Sequence, residues 1–186
     1  MNKRLMLVMI TLATAAWAQD KSTVLTQVGC GPDQAKFEVK REAHSHPTGT
    51  PQPGKALVYV FGDSELDNAA IQIGGLITRV GSDGVWVGAY GHKSYTYFSV
   101  DPGEHRLCTS QQSSLKSRRH TNASAITFTA EQGKVYYFRT QPSPAALSES
   151  AVSRAPSGKV ELAVLDPAQA QLMVLNRAYS TSQPRK

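Results

Sequence analysis

Between residues 55 and 165 the chain is cut into short runs rich in β-branched and aromatic residues, closed by turn-forming strings at spacings of about eight to twelve residues. That rhythm leaves no room for the crossover helices of a doubly wound α/β fold. Lys55-Ala-Leu-Val-Tyr-Val-Phe61 is apolar at consecutive positions, as expected of a strand covered on both faces or at the centre of a sandwich. Ile77-Thr-Arg-Val80 and Val85-Trp-Val-Gly88 flank Ser82-Asp83-Gly84, and Asp-Gly supplies the positive φ that a tight hairpin needs. Ser94-Tyr-Thr-Tyr-Phe-Ser-Val100 stops at Asp101-Pro102-Gly103, and a further strand runs from Glu104 to Thr109. Ala123 to Ala130 and Lys134 to Thr140 read as a second hairpin around Glu131-Gln132-Gly133. After a strand from Lys159 to Leu165, Asp166-Pro167 opens a helix to about Arg177, with Asp as N-cap and Pro at the first helical position. The expected fold is all-β: an antiparallel immunoglobulin-like or transthyretin-like sandwich with one short C-terminal helix.

The N-terminus reads as an address. Lys3-Arg4 precede the apolar run Leu5 to Leu12, which ends at Ala16-Trp17-Ala18, the pattern of a secretory signal peptide cleaved after Ala18. The run is too short to span a bilayer, and no Cys follows it directly, so neither a membrane span nor a lipid anchor is expected. The expectation is a periplasmic or secreted protein. Removing 18 of the 186 residues leaves 168, and loss of Lys3 and Arg4 lowers the net charge from +6 to +4. So mild a charge names no partner. The cluster Lys116-Ser-Arg-Arg-His120 has no aromatics interleaved with it and reads as a solvated basic loop, so nucleic acid is not an expected partner. Five segments follow: residues 1–18 as leader, 19–54 as extension and Pro-rich linker, 55–141 as sandwich core, 142–158 as a second linker, and 159–186 as terminal strand and helix.

Several of these strings together resemble a family of small exported bacterial proteins known as domain of unknown function 2846. They are residues 55–61, Val80-Gly-Ser-Asp-Gly-Val-Trp-Val-Gly-Ala89, Ser94-Tyr95, Val100-Asp-Pro-Gly-Glu-His-Arg-Leu-Cys108 and Ala130-Glu-Gln-Gly-Lys-Val-Tyr-Tyr-Phe-Arg139. The Pro-Gly-Glu-His turn also resembles PEGA-type surface β-modules. The resemblance, over residues 55–141, implies a compact envelope β-sandwich and carries no catalytic residue with it.

Cys30 and Cys108 are the two cysteines, and in an oxidising compartment an internal bridge is the default. Unpaired thiols or an intermolecular bridge are the alternatives. Phe61-Gly-Asp-Ser64 followed by Asp67-Asn68 resembles the nucleophile block of GDSL-type esterases, with Ser64 as the attacking group. No Asp-x-x-His follows Ser64 to supply its base, so a polar turn at a strand end is the plainer reading. His44 and His46 lie two apart and face one side of an extended segment, as two ligands of a Cu or Zn ion would, yet nothing fixes a third. No cofactor motif is present. The aromatic hairpin and the turn after it give the binding candidates Trp86, Tyr90, His92 and Lys93, on the condition that the rings are exposed. The leading expectation is an exported, non-enzymatic binding or accessory module for an envelope protein or polysaccharide. A small esterase using Ser64 and a purely structural accessory are the alternatives.

Overall fold

The computed structural model describes residues 30–62, 77–112, 123–142 and 160–185. Among these residues ten strands form two sheets: β1 Phe37–Glu42, β2 Ala56–Gly62, β3 Ile77–Ser82, β4 Val85–Tyr90, β5 Ser94–Val100, β6 Gly103–Gln112, β7 Ala123–Ala130, β8 Val135–Pro142, β9 Val160–Val164 and β10 Ala178–Pro184. Among the described residues one helix, α1, spans Pro167–Asn176. The sheets are ordered β1-β10-β5-β2-β8-β9 and β4-β3-β6-β7. The expected all-β sandwich with a C-terminal helix is what the chain forms, with one difference of detail. The larger sheet is mixed, since β2 pairs parallel with β8 and β10 pairs parallel with β5.

β2 organises both cores. All seven of its residues are buried, and alternation sends them to two sides. Ala56, Val58 and Val60 meet Val80, Leu107 and Phe138 between the sheets. Leu57, Tyr59 and Phe61 point the other way, against Tyr95 and against Leu165, Ala170 and Val174 at and within α1. The molecule is therefore three layers, with the larger sheet in the middle. α1 starts where its residues dictate: Asp166 accepts the N–H groups of Ala168 and Gln169 at 2.9 and 3.1 Å, and Pro167 gives up no useful donor in the first turn.

The first hairpin forms as expected, with Asp83 at φ 54° and Gly84 at φ 83° closing β3 onto β4. The second does not. β7 pairs with β6 in the smaller sheet, whereas β8 lies between β2 and β9 in the larger one. Residues 131–134 carry the chain across the sandwich, and this turn is fastened to β2: Gly133 N–H donates to the Lys55 carbonyl at 2.9 Å and Leu57 N–H to the Lys134 carbonyl at 3.0 Å. The reason lies in the two patterns. β7 alternates and suits an edge, while Val135-Tyr-Tyr-Phe138 is apolar on both faces and needs cover on both, as a central strand has.

Residues outside the expected core also join it. β1 belongs to the segment read as extension and linker, and β10 follows the expected helix, where the sequence pattern predicts no further strand; the two pair over six residues. Residues 43–54 form no strand but lie across the outer aromatic face, where the Tyr95 hydroxyl donates to the Pro47 carbonyl at 2.8 Å and Gly49 N–H donates to the Tyr59 hydroxyl at 2.7 Å. Residues 1–18, expected as a leader, the basic string 116–120 and most of the expected linker 142–158 lie outside the described residues.

Both seams between the sheets are closed by serine. Ser182 and Ser180 on β10 accept the N–H groups of Ala89 and Gly91 beside β4, at 2.9 and 3.3 Å, and Ser124 on β7 accepts that of Leu162 on β9 at 2.9 Å. Edge-strand donors that would otherwise invite another strand are thereby satisfied. Truncating Leu57, 2% exposed, to Ala should lower unfolding free energy by about 2–5 kcal/mol in urea denaturation. The same change at Leu172, 61% exposed, should stay within about 0.5 kcal/mol.

Candidate binding surface

The four residues expected to bind do not form one surface. The register between β3 and β4 shifts at Val80/Gly81, which pair with Gly88 and Trp86 and leave Val87 unmatched. This bulge sends Trp86 and Tyr90, four positions apart, to opposite faces. Tyr90 is 1% exposed in the core between the sheets, where its hydroxyl sits 3.0 Å from Thr140 Oγ1. Burial pushes that hydroxyl's pKa well up, so it stays protonated. Tyr90 is thus a core residue and cannot act as a binding ring. Its neighbours His92 and Lys93 occupy the turn between β4 and β5, half-buried and exposed respectively, and the Lys93 carbonyl accepts the N–H of Ala178 at 3.2 Å.

Trp86 is half-buried on the outer face of the smaller sheet, beneath residues 30–35. Its indole N–H donates to the Pro32 carbonyl at 2.7 Å, and the Arg79 guanidinium lies 4.5 Å from the ring centroid. Gly31 passes so close that a β-carbon there would enter the indole ring. Arg79 is 3% exposed and donates to the carbonyls of Asp33 and Ala35, both at 2.8 Å, and to Ser110 Oγ at 3.1 Å. Burial works against the guanidinium charge, and the Asp33 carboxylate 3.6 Å away partly offsets it. The expected bridge joins Cys30 to Cys108, with Cα atoms 5.3 Å apart, and fixes one end of this arrangement. Trp86 therefore holds the N-terminal segment in place. A charged residue inside the strand Ile77-Thr-Arg-Val80 was the sequence signal for this anchor.

The remaining candidates are separate. His44 and His46 are exposed on the segment over the aromatic face, with His46 Nδ1 3.0 Å from the Arg177 carbonyl, and no group of three or more His, Cys, Asp or Glu among the described residues could hold a metal ion. Ser64 lies outside the described residues. The aromatic face is itself filled: Tyr59, Tyr95, Tyr97 and Tyr179 pack with centroids 5.1–6.1 Å apart, and burial with Tyr97 and Glu42 nearby pushes the Tyr179 hydroxyl up to about 12.

Beside the exposed Val85 and Val87 on β4 and Val164 on β9, two further surfaces stand out among the described residues. One is a groove of about 330 Å³ lined by Glu38, Val39, Lys40, Thr181, Ser182 and Gln183, polar at most positions and without an aromatic ring. The other is the outer face of α1. Ala170 and Val174 bury the inner face, yet Leu172 and Leu175 are 61% and 66% exposed, and Pro167-Ala-Gln-Ala-Gln-Leu-Met-Val-Leu-Asn176 contains no charged residue. Sequence reasoning passed over these two leucines. The missing charge in a surface helix was the available signal, because a helix with one buried stripe ordinarily carries charge on the other.

Replacing Cys30 and Cys108 together by Ala should cost about 4 kcal/mol of stability, from the loop entropy restored to the unfolded chain. Chemical denaturation measures the loss, and Trp86 emission in the chain from Gln19 to Lys186 should shift to longer wavelength as residues 30–35 lift away.

No family model, no curated protein and no solved structure matches this chain.

Proposed function

We propose that this chain is an exported, non-enzymatic β-sandwich module of the cell envelope, and that it works by docking another envelope protein on the outer face of α1. The observation that carries this reading is the pair Leu172 and Leu175, exposed on a helix that has no charged residue. Depletion of charge around apolar side chains is the compositional mark of an interface centre. A helix of ten residues is about 15 Å long, so it would supply the middle of a contact rather than all of it. A protein partner fits better than a polysaccharide, because the rings that would stack on sugars, Trp86 and Tyr90, are committed to the N-terminal segment and the core. The Cys30–Cys108 bridge supports export, since such bridges persist in oxidising compartments. The likeness to domain of unknown function 2846 belongs to the same reading.

Immobilised protein from Gln19 to Lys186 should retain an envelope protein saturably from solubilised membranes. The double variant Leu172→Glu/Leu175→Glu should lose that retention while keeping its urea midpoint, because both side chains are exposed. Equal retention by the variant would contradict docking through α1. Ester hydrolysis that disappears on Ser64→Ala would replace the whole reading with an enzymatic one.

A further inference from the structure

At the end of the sandwich that carries the β3–β4 hairpin, His105 on β6 lies between two acceptors. Its Nδ1 is 2.6 Å from Asp83 Oδ2, and its Nε2 is 2.7 Å from the carbonyl oxygen of Asp101. A neutral imidazole carries one N–H, so it would turn a lone pair toward one of these oxygens; only the imidazolium donates to both. The Asp83 carboxyl is not the source of the missing proton. Its oxygens already accept Arg106 N–H at 2.8 Å and the Ser82 hydroxyl at 3.0 Å, as an ionised carboxylate does.

From this geometry we infer that charged His105 is a pH-sensitive clasp that pins the turn between β5 and β6 to the β3–β4 hairpin. Asp83 belongs to that hairpin, and Asp101 is the turn residue after Val100, where the chain passes from β5 of the larger sheet into β6 of the smaller one. Asp101 in turn fastens the start of β2, since its carboxylate accepts Lys55 Nζ at 2.9 Å. The charged groups around the ring are Asp83, Asp101 with Lys55 beyond it, and Glu104 and Arg106 on either side along β6. From β7, Phe128 packs against the ring, with centroids 5.8 Å apart.

Burial lowers the imidazole's proton affinity, but the hydrogen bonds to Asp83 and Asp101 outweigh it, and the net direction is upward from the ordinary 6.5. For Asp83, burial raises the carboxyl, while the bonds from Arg106, His105 and Ser82 prevail and bring it below 3.8. The signs follow from linkage. The histidine's contribution is complete below 6.5 and is lost as pH rises through the raised folded value. The aspartate's contribution is complete above 3.8 and is lost as pH falls through the lowered one. The clasp is closed in the mildly acidic window between them and opens on the alkaline side.

The test is an NMR pH titration of the His105 ring in the protein from Gln19 to Lys186, with thermal unfolding at pH 6 and pH 8.5. His105 should titrate above 6.5, and Asp83→Asn should bring it down. The melting temperature should fall between the two pH values by about 2–4 °C more in the wild type than in His105→Gln. A His105 ring titrating at or below 6.5 would overturn the clasp, as would an equal pH dependence in His105→Gln. Because the titration uses the unaltered protein, failure of either variant to fold leaves the inference open to refutation.

Discussion

Everything in this molecule is arranged around the need to cover β2 on both sides. A strand apolar at seven consecutive positions cannot face water on either side, and here one side is met by the smaller sheet and the other by α1 and an aromatic layer. The parallel pairing of β2 with β8 follows the same logic, because β8 is apolar on both faces too and finds cover only beside β2. Two such strands side by side form the centre of the larger sheet. The more polar strands β1 and β10 are left for one margin, and the short strand β9 for the other.

Those margins are held by polar rather than apolar contacts. Serine hydroxyls tie β10 to β4 and β7 to β9, and the Gln112 side-chain amide both accepts Phe37 N–H and donates to the Phe37 carbonyl, at 2.8 and 2.9 Å, as a neighbouring strand would. On the outer face of the smaller sheet the bridge, Arg79 and Trp86 hold residues 30–35 by their backbone carbonyls. Aromatic and cationic side chains that suggest recognition in the sequence are thus engaged inside the chain. The uncharged outer face of α1, with Leu172 and Leu175 exposed, lies on the opposite side of the larger sheet from the aromatic hairpin.

The legible parts of the fold were those set by residues adjacent in sequence. The two-sided burial of β2, the Asp83-Gly84 turn and the Asp166-Pro167 helix start each depend on a few neighbouring residues, and an even cysteine count sufficed for the bridge. Sheet assignment was not legible in this way. Asp101-Pro-Gly103 and Glu131-Gln-Gly133 suit a hairpin and a crossing equally, and only the core on either side decides between them. β1 and β10 have little apolar patterning and form because Phe37-Glu-Val-Lys-Arg-Glu42 and Ala178-Tyr-Ser-Thr-Ser-Gln-Pro184 pair with each other. At the candidate site, the opposed facing of Trp86 and Tyr90 hangs on one unmatched residue, Val87. A period-of-two reading puts the two rings together.

Native-state hydrogen exchange across increasing denaturant reads out whether β2 is the shared spine of both cores. The amides of Leu57 to Phe61 should exchange only through global unfolding, with the full denaturant slope. No partial opening should expose β2 while either α1 or the smaller sheet stays protected. Exchange of β2 amides through an opening with a smaller slope, with β3 and β6 still protected, would show that the smaller sheet holds together without β2, and β2 would then not be the shared spine.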